Sequence, residues 1–129
     1  MKDLNLTDRE NFSDKFYELD QFLGCYFHQF WKEALDWQGE KPSFESVVRY
    51  YKINEPLESV SKATEMLQDF LALNLSEEEI RKLFVRTGIW YGPSYQGMNY
   101  RQWLEAVLDI LKDGKTPKST LKFKGAASV

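Results

Sequence analysis

Cysteine and histidine each occur only once in these 129 residues, at Cys25 and His28. A single cysteine excludes an internal disulfide framework and a cysteine-based zinc site, and it fits a reducing cytoplasm. A single histidine leaves imidazole chemistry one place to stand. Long apolar runs are missing too: the longest is broken by His28 and Gln29 and falls well short of the roughly 20 residues that span a bilayer. Met1 to Phe12 carries charges at Lys2, Asp3, Asp8, Arg9 and Glu10 and has no apolar core, so no signal peptide is expected. These features predict a soluble cytoplasmic protein. No stretch alternates strictly between apolar and polar residues, so no half-buried strand is expected, nor a glycine-rich phosphate loop following one.

Hydrophobic residues, by contrast, make up 43% of the chain and aromatics 16%. At this length that suffices for one domain folded around a single core without cross-links. The formal charge of −3 hides an asymmetry. Four of the 17 basic residues, Lys115, Lys118, Lys122 and Lys124, sit in a C-terminal stretch without acids. The first 114 residues keep 13 basic side chains against all 20 acidic ones, a net of −7. An acidic body favours basic partners and repels nucleic acid; a charge of this size also serves plain solubility. Both readings stand.

Glycine and proline divide the chain into helical blocks. Thr7 with Glu10 reads as a capping box opening a first helix. Its apolar stripe would run through Phe12, Phe16, Leu19, Leu23, Tyr26 and Phe30, with a kink or break at Gly24. Ser43 caps a second helix with Phe44, Val47, Val48 and Tyr51 on one face, ended by Asn54. Pro56 suits the first turn of a third, where Leu57, Val60, Thr64, Leu67 and Leu71 share a stripe. Ser76 and Glu79 form another capping box before Ile80, Leu83 and Phe84, and Gly88 ends that helix in a left-handed cap. A fifth helix carries Tyr100, Trp103, Leu104, Val107, Leu108 and Leu111 and stops at Gly114. Trp90 to Met98 reads as a structured loop. The predicted fold is all-α: a compact single-domain bundle of about five helices over residues 1–114, followed by a disordered basic tail, residues 115–129.

Catalytic readings find little support. His28 lies inside an aromatic run, where a hydrogen-bonded structural histidine is the commoner role, and Cys25 has no electropositive setting to activate it. Glu77, Glu78 and Glu79 are accounted for by the cap and the helix dipole. No spacing supports a metal site, and no cofactor or enzymatic activity is expected. The lysine tail offers nucleic acid only a shallow, salt-sensitive hold. Binding residues are easier to nominate. Glu10, Asp14 and Glu18 recur every four residues, so they stack on the polar side of the first helix despite their mutual repulsion. Asp36 and Glu40 add acids further on. Such a face suits a cationic partner, or is an ordinary wet helix face. Trp90, Tyr91 and Tyr95 are either exposed anchors for a partner or a plug for the end of the bundle.

One segment stands out: Phe22-Leu23-Gly24-Cys25-Tyr26-Phe27-His28-Gln29-Phe30-Trp31, half of it aromatic. It resembles the N-terminal motif of the immunity proteins of bacterial contact-dependent growth inhibition systems, where a glycine-aromatic stretch leads into Tyr-Phe-His-Gln and a Trp. The resemblance runs from Phe22 to Leu111. It continues through a short helix (Pro42 to Tyr51), a Leu-rich helix (Pro56 to Leu73) and the helix start Ser76-Glu77-Glu78-Glu79. It ends with Trp90-Tyr91-Gly92-Pro93, Gly97 and Trp103-Leu104. Phe30 stands where the family places an Asp; a toxin contact made by that Asp in relatives is lost here.

The resemblance implies a protein that binds and neutralises one cognate toxin domain by occlusion, without turnover. Residues shared across the motif, Gly24, Tyr26, Phe27, His28, Gln29, Trp31, Trp103 and Leu104, are expected to hold the scaffold. Glu10, Asp14, Glu18, Asp36, Glu40, Trp90, Tyr91 and Tyr95 are the candidate toxin contacts. A nuclease is the toxin class such an acidic face suits, because nuclease clefts are basic. The alternative is a helical adaptor that binds a protein or peptide in a groove between helices.

Overall fold

The computed structural model describes residues 12, 14–28, 35–36, 43–89, 92, 97–113 and 122–123. These form five helices: α1 (Tyr17–Tyr26), α2 (Phe44–Asn54), α3 (Leu57–Ala72), α4 (Glu77–Thr87) and α5 (Tyr100–Lys112). Two short strands, β1 (Leu35–Asp36) and β2 (Lys122–Phe123), pair antiparallel with Leu35 opposite Phe123. That ladder was not expected from the sequence, and it puts two residues of the expected tail in a defined pairing. The other residues of the 115–129 tail lie outside the described residues.

Local signals set most helix limits. The Ser43 side chain accepts from the Ser46 amide and opens α2, and Glu55 closes it. Ser76 and Glu79 form the expected capping box, and Gly88 ends α4 with φ 82°. That left-handed conformation is costly for a residue with a β-carbon and cheap for glycine. Asn74, also left-handed at φ 55°, follows α3 and donates its amide to the Leu71 carbonyl. Asn99 and Gln102 form a second capping box, at the start of α5, that the sequence reading missed.

Helix α3 is central, packing against α1, α2 and α5. The rings of Phe12 and Phe16 meet Phe70 edge-on at 5.7 and 5.6 Å, whereas Tyr26 at the far end of α1 reaches Glu55 just before α3. Helices α1 and α3 are therefore antiparallel. Arg101 at the start of α5 donates to the Leu71 carbonyl at the end of α3, so α5 is antiparallel to α3 as well. Lys52 closes the other end, donating 2.7 and 2.8 Å bonds to the Ile110 carbonyl and to Asp113. A cation on the last carbonyls of α5 favours its dipole.

One contiguous core results, running from Phe12 to Leu111. Three expectations need correction. Helix α1 runs unbroken through Gly24, and the interruption lies at Phe16, where φ is −125° and ψ 46°. Phe22 and Phe27 join the core although the predicted stripe omitted them. Leu57, assigned to the stripe of α3, is 81% exposed. It falls at the margin of the face defined by Val60, Ala63, Leu67 and Phe70, on the first turn of the helix.

Candidate protein-binding surface

Asp14, exposed, precedes the interruption at Phe16, and Glu18, half-buried, lies in the first turn of α1. Asp36 lies in β1. Glu10, Glu40, Trp90, Tyr91 and Tyr95 lie outside the described residues, as do Thr7 and Phe30. Of the nominated contacts among the described residues, Glu18 lies on α1, and Asp14 lies before the interruption at Phe16.

Two further carboxylates, which sequence reasoning passed over, act on Cys25 near the end of α1. Asp20 follows on α1, and Glu55 occupies the corner between α2 and α3. The Tyr26 hydroxyl donates a 2.8 Å hydrogen bond to Glu55 Oε2, and Asn54 Nδ2 donates to the same hydroxyl at 3.3 Å. This contact ties the end of α1 to the α2–α3 corner. A polar Asn-Glu-Pro break between two apolar stripes was the only signal for Glu55, and it marks a turn rather than a partner for Tyr26.

The carboxylates set the local electrostatics. Partial burial raises the Cys25 thiol above its usual pKa, and Asp20 and Glu55 push it further the same way. Tyr51 is raised by burial and then by Glu18 and Glu55. Burial also raises Tyr26, the Asn54 bond opposes it, and the Glu55 contact adds to it. Glu55 acts on all three groups, joined by Asp20 at Cys25 and by Glu18 at Tyr51. Burial and these carboxylates hold Cys25 in its protonated, unreactive form.

The motif residues lie mainly beneath this surface. Tyr26 and Phe27 are buried at the end of α1, and Trp103 and Leu104 at the start of α5. Phe27 meets Trp103 edge-on at 5.1 Å and 87°, so the two ends of the aromatic pattern touch in the core. Phe22 stacks on Tyr51 at 4.0 Å, which ties α1 to α2. Such aromatic pairs add about 0.5–1.5 kcal/mol beyond their buried area. His28 and Gly24 are partly exposed, and Gln29 and Trp31 lie outside the described residues. Among the described residues no cluster of His, Cys, Asp and Glu could hold a metal, and no helix is long and apolar enough to cross a membrane.

The described residues form a helical scaffold whose core is tied together by the aromatic motif. Residues 15–111 match the CdiI immunity protein family, a span from just before α1 to the last turn of α5. The chain belongs to that family. Its members are inhibitors rather than enzymes, and their partner is a cognate toxin protein. No curated protein and no solved structure matches the chain.

Proposed function

We propose that this protein neutralises a nuclease toxin domain in the cytoplasm by covering its active-site cleft, one molecule to one. The toxin is the C-terminal domain of a large surface-exposed effector delivered by neighbouring cells, and its gene lies beside that of this protein. The family match over residues 15–111 carries the reading. The acidic side of α1 supports its finer part, because a cleft that grips phosphates needs the lysines and arginines that such a side attracts. Charge speeds the encounter, and buried contacts set the dissociation rate. Protection calls for nanomolar binding or better, about −12 kcal/mol.

Titration of the neighbouring toxin domain's nuclease activity with this protein tests the proposal. Activity should fall linearly to zero at one equivalent. A toxin domain with another activity, or a stable complex that still cleaves nucleic acid, contradicts it. The triple variant Glu10→Gln, Asp14→Asn and Glu18→Gln should associate more slowly at low salt, with the difference shrinking as salt rises. An unchanged association rate removes these three carboxylates from the account.

A further inference from the structure

The family match stops at residue 111, and the chain continues to Val129. That continuation is tied back to the matched part at two places. The first is Asp113, just past α5. Its Oδ1 accepts the 2.8 Å bond from Lys52 Nζ, and Arg49 Nη1 lies 3.2 Å from Oδ2 as an ion pair without hydrogen-bond geometry. Both cations belong to α2. All three side chains are partly buried, so salt screens this tie less than a fully exposed one. The second tie is the short ladder. Strand β2 pairs with β1, in the connection between α1 and α2, with Lys122 opposite Asp36 and Phe123 opposite Leu35.

The two ties differ in kind. Two residues on each strand, with no third strand beside them among the described residues, make a ladder that is marginal in water on its own. Charge adds to it. From Lys115 onward the chain carries four lysines and no acid, against a net of −7 in the residues before. The register then sets a lysine directly opposite an aspartate, a cross-strand combination that favours pairing. Attraction between the basic end and the acidic body weakens as salt rises. The stretch seated on β1 thus has the charge that the acidic body favours in a partner, and it stands opposite one of the nominated toxin contacts.

We propose that the β1–β2 ladder is a charge-held clasp, in which the chain's own basic end competes with the toxin domain for the surface around Asp36. Toxin binding releases Lys122 and Phe123, whereas Asp113 stays on α2. The inference rests on the immunity reading and deepens it by adding an internal competitor. A site held by its own chain binds in proportion to the fraction that is open, so the clasp disfavours any partner not basic enough to displace it.

Hydrogen exchange on the full-length protein, free and with the purified toxin domain encoded beside it, tests the clasp. In the free protein the ladder amides should be protected at low salt and lose protection as salt rises, while the end of α5 stays protected. Lys122→Glu should open the ladder, and adding Asp36→Lys should close it again by restoring the pair in reverse. In the complex Lys122 and Phe123 should lose protection even at low salt. Lys122→Glu should bind the toxin domain about threefold tighter or more, through the larger open fraction. Lys124→Glu makes the same charge change outside the ladder and should gain less. Protection that ignores salt, a reversed pair that stays open, or equal gains from the two lysine variants overturns the clasp while the immunity reading stands. Protection of Lys122 and Phe123 that persists in the complex also overturns it. Absence of any complex with the wild-type protein overturns the immunity reading and this inference with it.

Discussion

At the scale of single residues, two side chains separate what the core needs from what the surface offers. Phe27 is fully buried and meets both Phe22 and Trp103 edge-on. Phe27→Ala should therefore cost about 3–5 kcal/mol, through lost transfer energy and the cavity left behind, as measured by urea denaturation. Cys25 is the opposite case, exposed yet restrained by partial burial and by Asp20 and Glu55. Its alkylation rate at neutral pH should fall below that of a free cysteine and keep rising beyond the usual thiol pKa of about 8.5. Stopped-flow labelling against pH checks this, and a midpoint at or below the usual value contradicts the electrostatic account. The aromatic weight of the Phe22–Trp31 segment was legible because composition alone shows it. Which ring each aromatic meets was not: Phe27 finds Trp103 far along the chain, and no local spacing encodes that. The place of the helix break was misread for the same reason. Propensity pointed to Gly24, whereas the interruption falls at Phe16, where two phenyl rings converge on Phe70.

At the scale of elements, helix ends were the easiest features to read. Capping chemistry is local: Ser43, Ser76 with Glu79, and Gly88 act within a few residues of themselves. Glu77 shows the limit. Its position in an acidic first turn suggested service to its own dipole, yet its two oxygens accept the Tyr100 and Arg101 amides at 2.8 and 3.0 Å. It caps α5 from α4, and a contact across 23 residues leaves no trace in a local pattern. Glu77→Ala should cost about 1.5–3 kcal/mol, the range for hydrogen bonds to a charged group. Amide exchange should speed up at the start of α5. Glu78, its exposed neighbour, pairs with Arg81 and Lys82 on the same surface. Glu78→Ala should leave the denaturation midpoint where it is. Equal losses from both substitutions would mean that the first turn of α4, rather than the bridge to α5, is what matters.

For the whole molecule, the bundle was legible because every stripe repeats at the helical period, and short connections leave few ways to close it. The carboxylates around α1 were only partly legible. Asp14 and Glu18 announce themselves by their spacing; Glu55 joins Glu18 near Tyr51 only once α1 has packed beside the α2–α3 corner. That same corner makes stability sensitive to high pH. The fold disfavours the phenolate forms of Tyr26 and Tyr51, mainly through burial. An unfolded chain releases those protons near pH 10, so their contribution is complete below that value and is lost as pH climbs past it. Unfolding free energy should decline above about pH 10, and the double variant Tyr26→Phe and Tyr51→Phe should flatten the decline. Binding and neutralising one toxin is the central claim, and co-expression tests it most directly. Cells making this protein together with the toxin domain encoded beside it should stay viable, and the two chains should co-purify as an equimolar complex. Cell death with both proteins folded and no complex recovered would contradict the account.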